Sequence, residues 1–308
     1  MKFHVYDRLS LNERTHNSEW CCTPFDEKNI GKKPKLNNSY HHIGKISSIP
    51  NYSPSECDYF LVPYLIIHTH HLKDEKELFN HLSENLAFFK HKPEKHIFFV
   101  GSDETRPIKT LENSIVFAFS VNKSSKNKCL YYQPIVKVPK LISSIDLAHY
   151  DVSFQGYFCN EIRKKAANSV SGLKNVVINK RYWFEKFMGR ETEEIERNYI
   201  GLIQMSKFVL CPKGFGMSSV RFFETIASGR IPILISDETK LPIEHKINYD
   251  EFVLRVKESE IDSIPQKIYE FKEKRNLIQA SIAARQTWEK WFCPENFHNF
   301  LKESLNIS

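Results

Sequence analysis

Arg221 and Glu224 stand three residues apart, just after a run that holds Lys213, Gly214, Gly216, Ser218 and Ser219. On a helix, positions three apart share a face, so this guanidinium and carboxylate would project together. A carboxylate can accept both hydrogen bonds of a ribose diol, and a guanidinium can pair with a phosphate or a base edge. Gly214 and Gly216 let the backbone approach a phosphate closely, and Ser218 and Ser219 add hydroxyl donors. Together these residue types suit the grip of a nucleoside diphosphate. The plainer alternative is a surface i,i+3 salt bridge, which is common in helices and worth little.

The elements that would position these groups are legible around them. Residues 207–211 predict a strand, 212–218 a glycine-containing turn, 219–228 a helix and 231–236 a further strand. Such a unit sets a helix N-terminus at the carboxyl edge of a sheet, where backbone N–H groups and the helix dipole favour an anion. Upstream, 152–156 predicts a strand and turn and 161–169 a short helix, while Ile195, Tyr199, Leu202 and Ile203 mark a longer one. In the first half, 58–67 reads as a buried strand, Leu78, Leu82, Leu86 and Phe89 recur at helical spacing, and 96–100 reads as another strand. Residues 277–305 read as helical, anchored by Trp288, Trp291 and Phe292. Strands alternating with helices in both halves predict a parallel sheet in each.

The chain has 308 residues, enough for two α/β domains of roughly 150 residues each. We assign residues 1–148 to a first Rossmann-like domain, 149–285 to a second, and 286–308 to a terminal helix that returns to the first. Hydrophobic residues at 41% and charged residues at 26% exclude a largely disordered chain. No apolar run reaches membrane-spanning length, and the opening residues lack the apolar core of a signal peptide. Seven cysteines without CxxC spacing fit a reduced, cytoplasmic protein. The net charge of +7 suits a phosphorylated ligand, nucleic acid or an anionic membrane face alike. The basic residues form no finger, helix-turn-helix or RNP-like pattern, so a nucleic-acid-binding protein is the weaker alternative and no nucleic-acid partner is expected.

The C-terminal pattern resembles the signature of the exostosin family of glycosyltransferases. There, a strand and turn ending Cys-Pro-Arg-Gly precede S-x-R-x-x-E-A-I and then G-C-x-P-V-I. The corresponding residues are 206–214, then Ser219, Arg221, Glu224 and Ile226, then Gly229, Pro232 and Ile235. Thr225 and Arg230 replace the usual alanine and cysteine, and Arg230 is expected to alter the charge of the pocket. Weaker similarity covers residues 5–7, 57–64 and 96–103, where Ser102 replaces a histidine, and 152–156 followed by Arg163. The similarity thus spans nearly the whole chain.

The resemblance implies two Rossmann-like, doubly wound domains facing a cleft, of the GT-B type. It also implies an inverting enzyme that uses a nucleotide sugar, usually UDP-linked, and a glycan or lipid-linked glycan acceptor. A sugar-nucleotide epimerase or phosphorylase on the same scaffold is the alternative enzyme. Inversion is one in-line displacement that needs a general base on the acceptor hydroxyl and positive charge on the departing diphosphate. No Asp-x-Asp motif occurs, so neither metal nor cofactor is expected, and Arg163, Lys213 and the helix dipole would stabilise the leaving group. Asp103, which follows an apolar strand, fits the base, though such a residue also serves as a turn or N-cap. His68, His70 and His71 are its rivals. A metal role for these histidines is poor, because no cysteine or carboxylate spacing accompanies them. Exostosins of animals and plants begin with a membrane anchor that this opening lacks. The expected setting is therefore bacterial-type surface polysaccharide synthesis in the cytoplasm, with peripheral contact at the inner membrane face.

Overall fold

The computed structural model describes residues 1–6, 20–24, 49–68, 75–100, 108–121, 129–130, 144–181 and 192–306. The chain forms two compact units that are not continuous in sequence. One comprises Met1–Ile135, Lys240–Ile243 and Cys293–Ser308; the other comprises Val136–Thr239 and Glu244–Phe292. Among the described residues, no helix is long and apolar enough to cross a membrane.

The first unit is built on strands β1 (Phe3–Val5), β2 (Trp20–Pro24), β3 (Tyr59–His68), β4 (His96–Val100), β5 (Ile115–Ala118) and β6 (Cys129–Leu130). The parallel order is β1-β3-β4-β5-β6, and β2 runs antiparallel to the distal half of β3. β3 pairs with β4 through Phe60 and Leu61, then again through Leu65 and Ile66, with a register shift between. Pro63 lies in that interval, where its missing N–H would break the ladder in any case. Helix α1 (Glu75–Asn85) buries Leu78 and Leu82, and the chain beyond it buries Leu86 and Phe89. The i,i+4 spacing read from the sequence is therefore the core-facing stripe.

A histidine opens β4 inside this core. His96 is fully buried, with its ring centroid 4.8 Å from Phe60, 5.4 Å from Phe89 and 5.7 Å from Tyr6. The carbonyl of Lys92 can only accept, so Nδ1 carries the proton and donates to it over 2.8 Å. Nε2 then accepts from the Tyr6 hydroxyl over 2.9 Å. Both ring nitrogens are satisfied in the neutral form, and burial pulls the His96 pKa from 6.5 down to about 4. Burial likewise pushes the Tyr6 phenol up to about 12.

The second unit contains β7 (Tyr150–Tyr157), α2 (Glu161–Ser169), β8 (Val176–Arg181), α3 (Thr192–Gln204), β9 (Ser206–Pro212), α4 (Val220–Ala227), β10 (Ile231–Ile235), β11 (Leu254–Val256), α5 (Ile264–Lys274) and α6 (Leu277–Thr287). Its sheet is wholly parallel in the order β8-β7-β9-β10-β11. The chain moves outward from β7 to β8, returns past β7 to β9, and then continues the other way. Right-handed crossovers of opposite direction place their helices on opposite faces. Accordingly α2 packs with α5, while α4 packs with α3 and α6. Covered on both faces, β9 and β10 are nearly continuous apolar runs.

The terminal stretch that reads as helical is divided. A π turn over Trp288–Phe292 ends α6, Pro294 opens a 3₁₀ turn, and α7 (Phe297–Leu305) follows. This last helix belongs to the first unit. There Phe297 meets Phe99 at 5.7 Å, Phe300 meets Phe117 at 6.1 Å and His298 meets Phe3 at 5.7 Å between ring centroids.

The burial of His96 makes stability depend on pH. Its folded pKa lies below its unfolded value, so the unfolded chain binds the extra proton as pH falls from about 6.5 to about 4. The contribution is present above 6.5, is lost across that window and is constant below it. Urea unfolding should show a loss of about 2–3 kcal/mol between pH 7 and pH 4 from this residue. His96→Phe should flatten that part of the profile, and an unchanged profile in the variant would remove His96 as its cause.

Candidate functional site

The strand order of the second unit reverses between β7 and β9. Where neighbouring parallel strands send their connections to opposite faces, their carboxyl ends leave a crevice, and ligands bind there in open α/β sheets. The turn over residues 213–219 leaves β9 at this edge and leads into α4. Lys213 N donates to Ile235 O at 3.2 Å, and Gly214 N donates to Ser218 O at 3.3 Å, closing the turn on itself. Met217 O accepts from the Thr239 hydroxyl. Ser219 is the helix N-cap residue in extended conformation, but its side chain makes no capping bond.

Helix α2, reached from β7, holds the same turn from the other side. Asn160 caps α2 by accepting from Arg163 N at 3.0 Å, and its amide donates to Gly214 O at 2.8 Å. Arg163 donates from Nε to Lys213 O at 3.0 Å and from Nη1 to Tyr157 O at 2.8 Å. One guanidinium thus ties the end of β7 to the end of β9. A Cβ on Gly214 would lie 3.2 Å from Arg163 Nη2, so glycine permits this approach. Lys213 turns its ammonium to Glu258, with Nζ to Oε1 at 2.7 Å. Glu258 is itself placed by Glu258 N donating to Asp237 Oδ1 at 3.0 Å.

Arg221 and Glu224 are not a surface pair. Their side chains are buried, with Arg221 8% and Glu224 3% exposed. Arg221 Nη2 donates to Gln155 O at 2.5 Å, and the guanidinium lies 4.5 Å over the Phe154 ring and 5.9 Å from the Tyr199 ring. Its Nε is buried and, among the described residues, finds no hydrogen-bond partner. A buried charged donor left unmatched is uncommon. The Glu224 carboxylate accepts from the Tyr199 hydroxyl at 2.5 Å. Burial first, and the nearby Glu224 charge second, hold the Tyr199 phenol well above its usual range, against the pull of Arg221. The phenol therefore stays protonated and donates to the carboxylate.

The structure brings together Arg163, Lys213, Gly214, Arg221 and Glu224, with Gly216, Ser218 and Ser219 on the intervening turn. Asp103, His70 and His71 lie outside the described residues, and His68 closes β3. Arg230 does not alter the charge of this crevice. It sits at the amino end of β10, a helix length of about 12 Å from the carboxyl edge, and is fully buried. There its guanidinium donates to Gln204 O at 2.9 and 2.6 Å and to Gly229 O at 3.0 Å. Burial pulls its pKa down to about 10. Thr225, the other departure, donates its hydroxyl to Arg221 O at 2.6 Å and is satisfied within the helix.

Asn160, Gln155, Tyr157 and Glu258 escaped the reading of the sequence, and Tyr199 was seen only as a core-facing helix position. Asn160 had a signal, since asparagine before Glu161 is a helix-start pattern. The other roles arise from contacts between distant segments.

Residues 2–270 match the family model described as the Exostosin GT47 domain. The chain belongs to this family. An exostosin-1 homolog of Caenorhabditis elegans is 34% identical over 103 residues, covering 33% of this chain and 27% of that protein. A probable glycosyltransferase of Arabidopsis thaliana is 29% identical over 115 residues, covering 36% and 24% respectively. A probable glucuronoxylan glucuronosyltransferase of the same plant is 31% identical over 97 residues, covering 30% and 20%. In each case the exostosin-type chain here matches about a quarter or less of the relative's length.

Gly156 tests the arrangement directly. A Cβ at this position would lie 2.6 Å from Arg221 Nη2, so alanine must push the guanidinium off Gln155 O and the Phe154 ring. Gly156→Ala should leave the far-ultraviolet circular dichroism spectrum intact and lower the unfolding free energy in urea by about 1–3 kcal/mol, the worth of one charge-assisted contact. Unchanged stability would mean that the guanidinium keeps its place despite the added methyl group.

Proposed function

We propose that the crevice between β7 and β9 binds a nucleotide sugar, UDP-linked in the first instance, and that the chain transfers its glycosyl group to a glycan acceptor with inversion. The observation that carries this reading is the buried Arg221 in the first turn of α4, with its Nε unmatched among the described residues and the buried Glu224 carboxylate three residues further along the helix. The family membership and the glycosyltransferase names of the matched relatives support it.

In this reading the diphosphate lies over the 213–219 turn, where the N-terminus of α4 and Arg221 supply positive charge, and Glu224 takes the ribose hydroxyls. The acceptor hydroxyl oxygen attacks the anomeric carbon while the bond to the diphosphate oxygen breaks. The nucleotide leaves with that electron pair, and a base takes the acceptor's proton. Asp103 is the base we propose, with His70 and His71 as its rivals. The Lys213–Glu258 pair keeps one cation beside the turn, and Arg163 acts by holding the two strand ends. We propose that no metal takes part. The acceptor is a free or lipid-linked glycan, the latter reached at a membrane's inner face, as in surface polysaccharide assembly. The relatives named above are animal and plant proteins.

Calorimetry with UDP tests the donor site. Glu224→Ala and Arg221→Ala should each weaken binding by about 10–100-fold. Wild-type affinity in both variants would place the nucleotide elsewhere. A transfer assay tests the chemistry: turnover should survive EDTA, and Asp103→Asn should lower it by about 10²–10⁴ with UDP affinity unchanged. Full activity of Asp103→Asn, with His70→Ala or His71→Ala inactive, would move the base to the histidines.

A further inference from the structure

Two aromatic side chains stand at the rim of the crevice. Phe215, on the tip of the 213–219 turn, is 66% exposed, and Tyr157, the last residue of β7, is 37% exposed. Their ring centroids are 6.5 Å apart and their planes 37° from parallel. A single exposed phenylalanine is ordinary. This pair differs in being held at both roots by one side chain, because Arg163 donates to Tyr157 O and to Lys213 O. The two loops that carry the rings are thereby fixed against each other.

The direction of α4 decides what would lie on these rings. The helix enters at the carboxyl edge and runs toward the amino edge, so Glu224 lies about 7 Å along the axis beyond the Ser219 N-cap. A donor with its diphosphate at the first turn and its ribose toward Glu224 must carry its glycosyl group on the opposite side of the diphosphate. We take that side to be the turn that carries Phe215, whose ring lies 6.5 Å from that of Tyr157.

We infer that Tyr157 and Phe215 form a shelf for the sugar being transferred. This rests on the donor-site reading above. The C–H face of a pyranose carries partial positive charge and is apolar, matching the negative face of an aromatic ring, while its hydroxyls remain directed away from the rings. The shelf would fix the anomeric carbon over the turn and exclude water from one side of it. It would also make ring shape at the donor, rather than the nucleotide, a determinant of specificity.

Calorimetry on the full chain with UDP, UDP-glucose, UDP-N-acetylglucosamine and UDP-glucuronic acid tests this. Wild-type protein should bind at least one of the three sugar nucleotides more tightly than UDP. Phe215→Ala should remove that increment, weakening the preferred sugar nucleotide about 10-fold while leaving UDP affinity unchanged, and Phe215→Trp should keep it. Tyr157→Leu, which retains bulk but loses the ring, should act like Phe215→Ala. Equal weakening of UDP and the sugar nucleotide would assign the rings to the nucleotide and overturn the shelf. Unchanged sugar-nucleotide affinity, with or without a raised KM for acceptor, would overturn it too, as would a wild-type protein that binds no sugar nucleotide better than UDP. Wild-type UDP affinity in Arg221→Ala and Glu224→Ala is a separate result that removes the donor site itself, and with it the shelf.

Discussion

Right-handed crossover between parallel strands is the constraint from which the second unit follows. Once the chain passes outward from β7 to β8 and must return to β9, its helices divide between the two faces and a crevice opens where the strand order turns. The apolar runs of β9 and β10 can be buried only in such a two-sided sheet. Most groups of the candidate site stand at the carboxyl ends of β7, β9 and β11 or on α2 and α4, the helices that follow β7 and β9, while Tyr199 reaches in from α3. Parallel packing makes this one edge of the sheet the place where polar chemistry can collect.

The site is held chiefly by side chains that accept the turn as a rigid object. Asn160 and Arg163 take up the carbonyls of Lys213 and Gly214, and Thr239 takes that of Met217. Backbone carbonyls that would otherwise need water are thereby satisfied within the protein. On the inner side, Arg221, Tyr199 and Glu224 form a buried group in which each charge has a polar or aromatic neighbour. Burying charges is unfavourable unless hydrogen bonds compensate. Among the described residues, Arg221 Nε is the charged donor of this group that stays unmatched.

Arg230 shows how a residue next to a signature can belong to a different problem. In sequence it is six residues from Glu224, and its charge looked like a property of the pocket. In space Arg230 lies beyond the C-terminal end of α4, and its guanidinium satisfies the last carbonyl of α3 instead. Arg285, donating to Ala227 O, does the same for α4. Cations at helix C-termini complement the dipole, and both residues act on that end.

The sequence by itself determined what depends on neighbours in the chain. The strand, turn and helix around residues 206–235, the core-facing stripe of α1 and the pairing of Arg221 with Glu224 on one helix all follow from local spacing and periodicity. The alternation of strands and helices likewise specified the parallel strands of both sheets, whereas the antiparallel β2 beside β3 was not legible in it. Tertiary structure alone decided which side chains meet across about fifty residues: Arg163 and Asn160 on the 213–214 turn, Arg221 beneath Gln155, and Lys213 against Glu258. These contacts are set by strand order and by the face each crossover takes, and no single segment encodes either. The same holds for His96, which reads in the sequence only as the start of a strand and whose buried ring completes the core of the first unit.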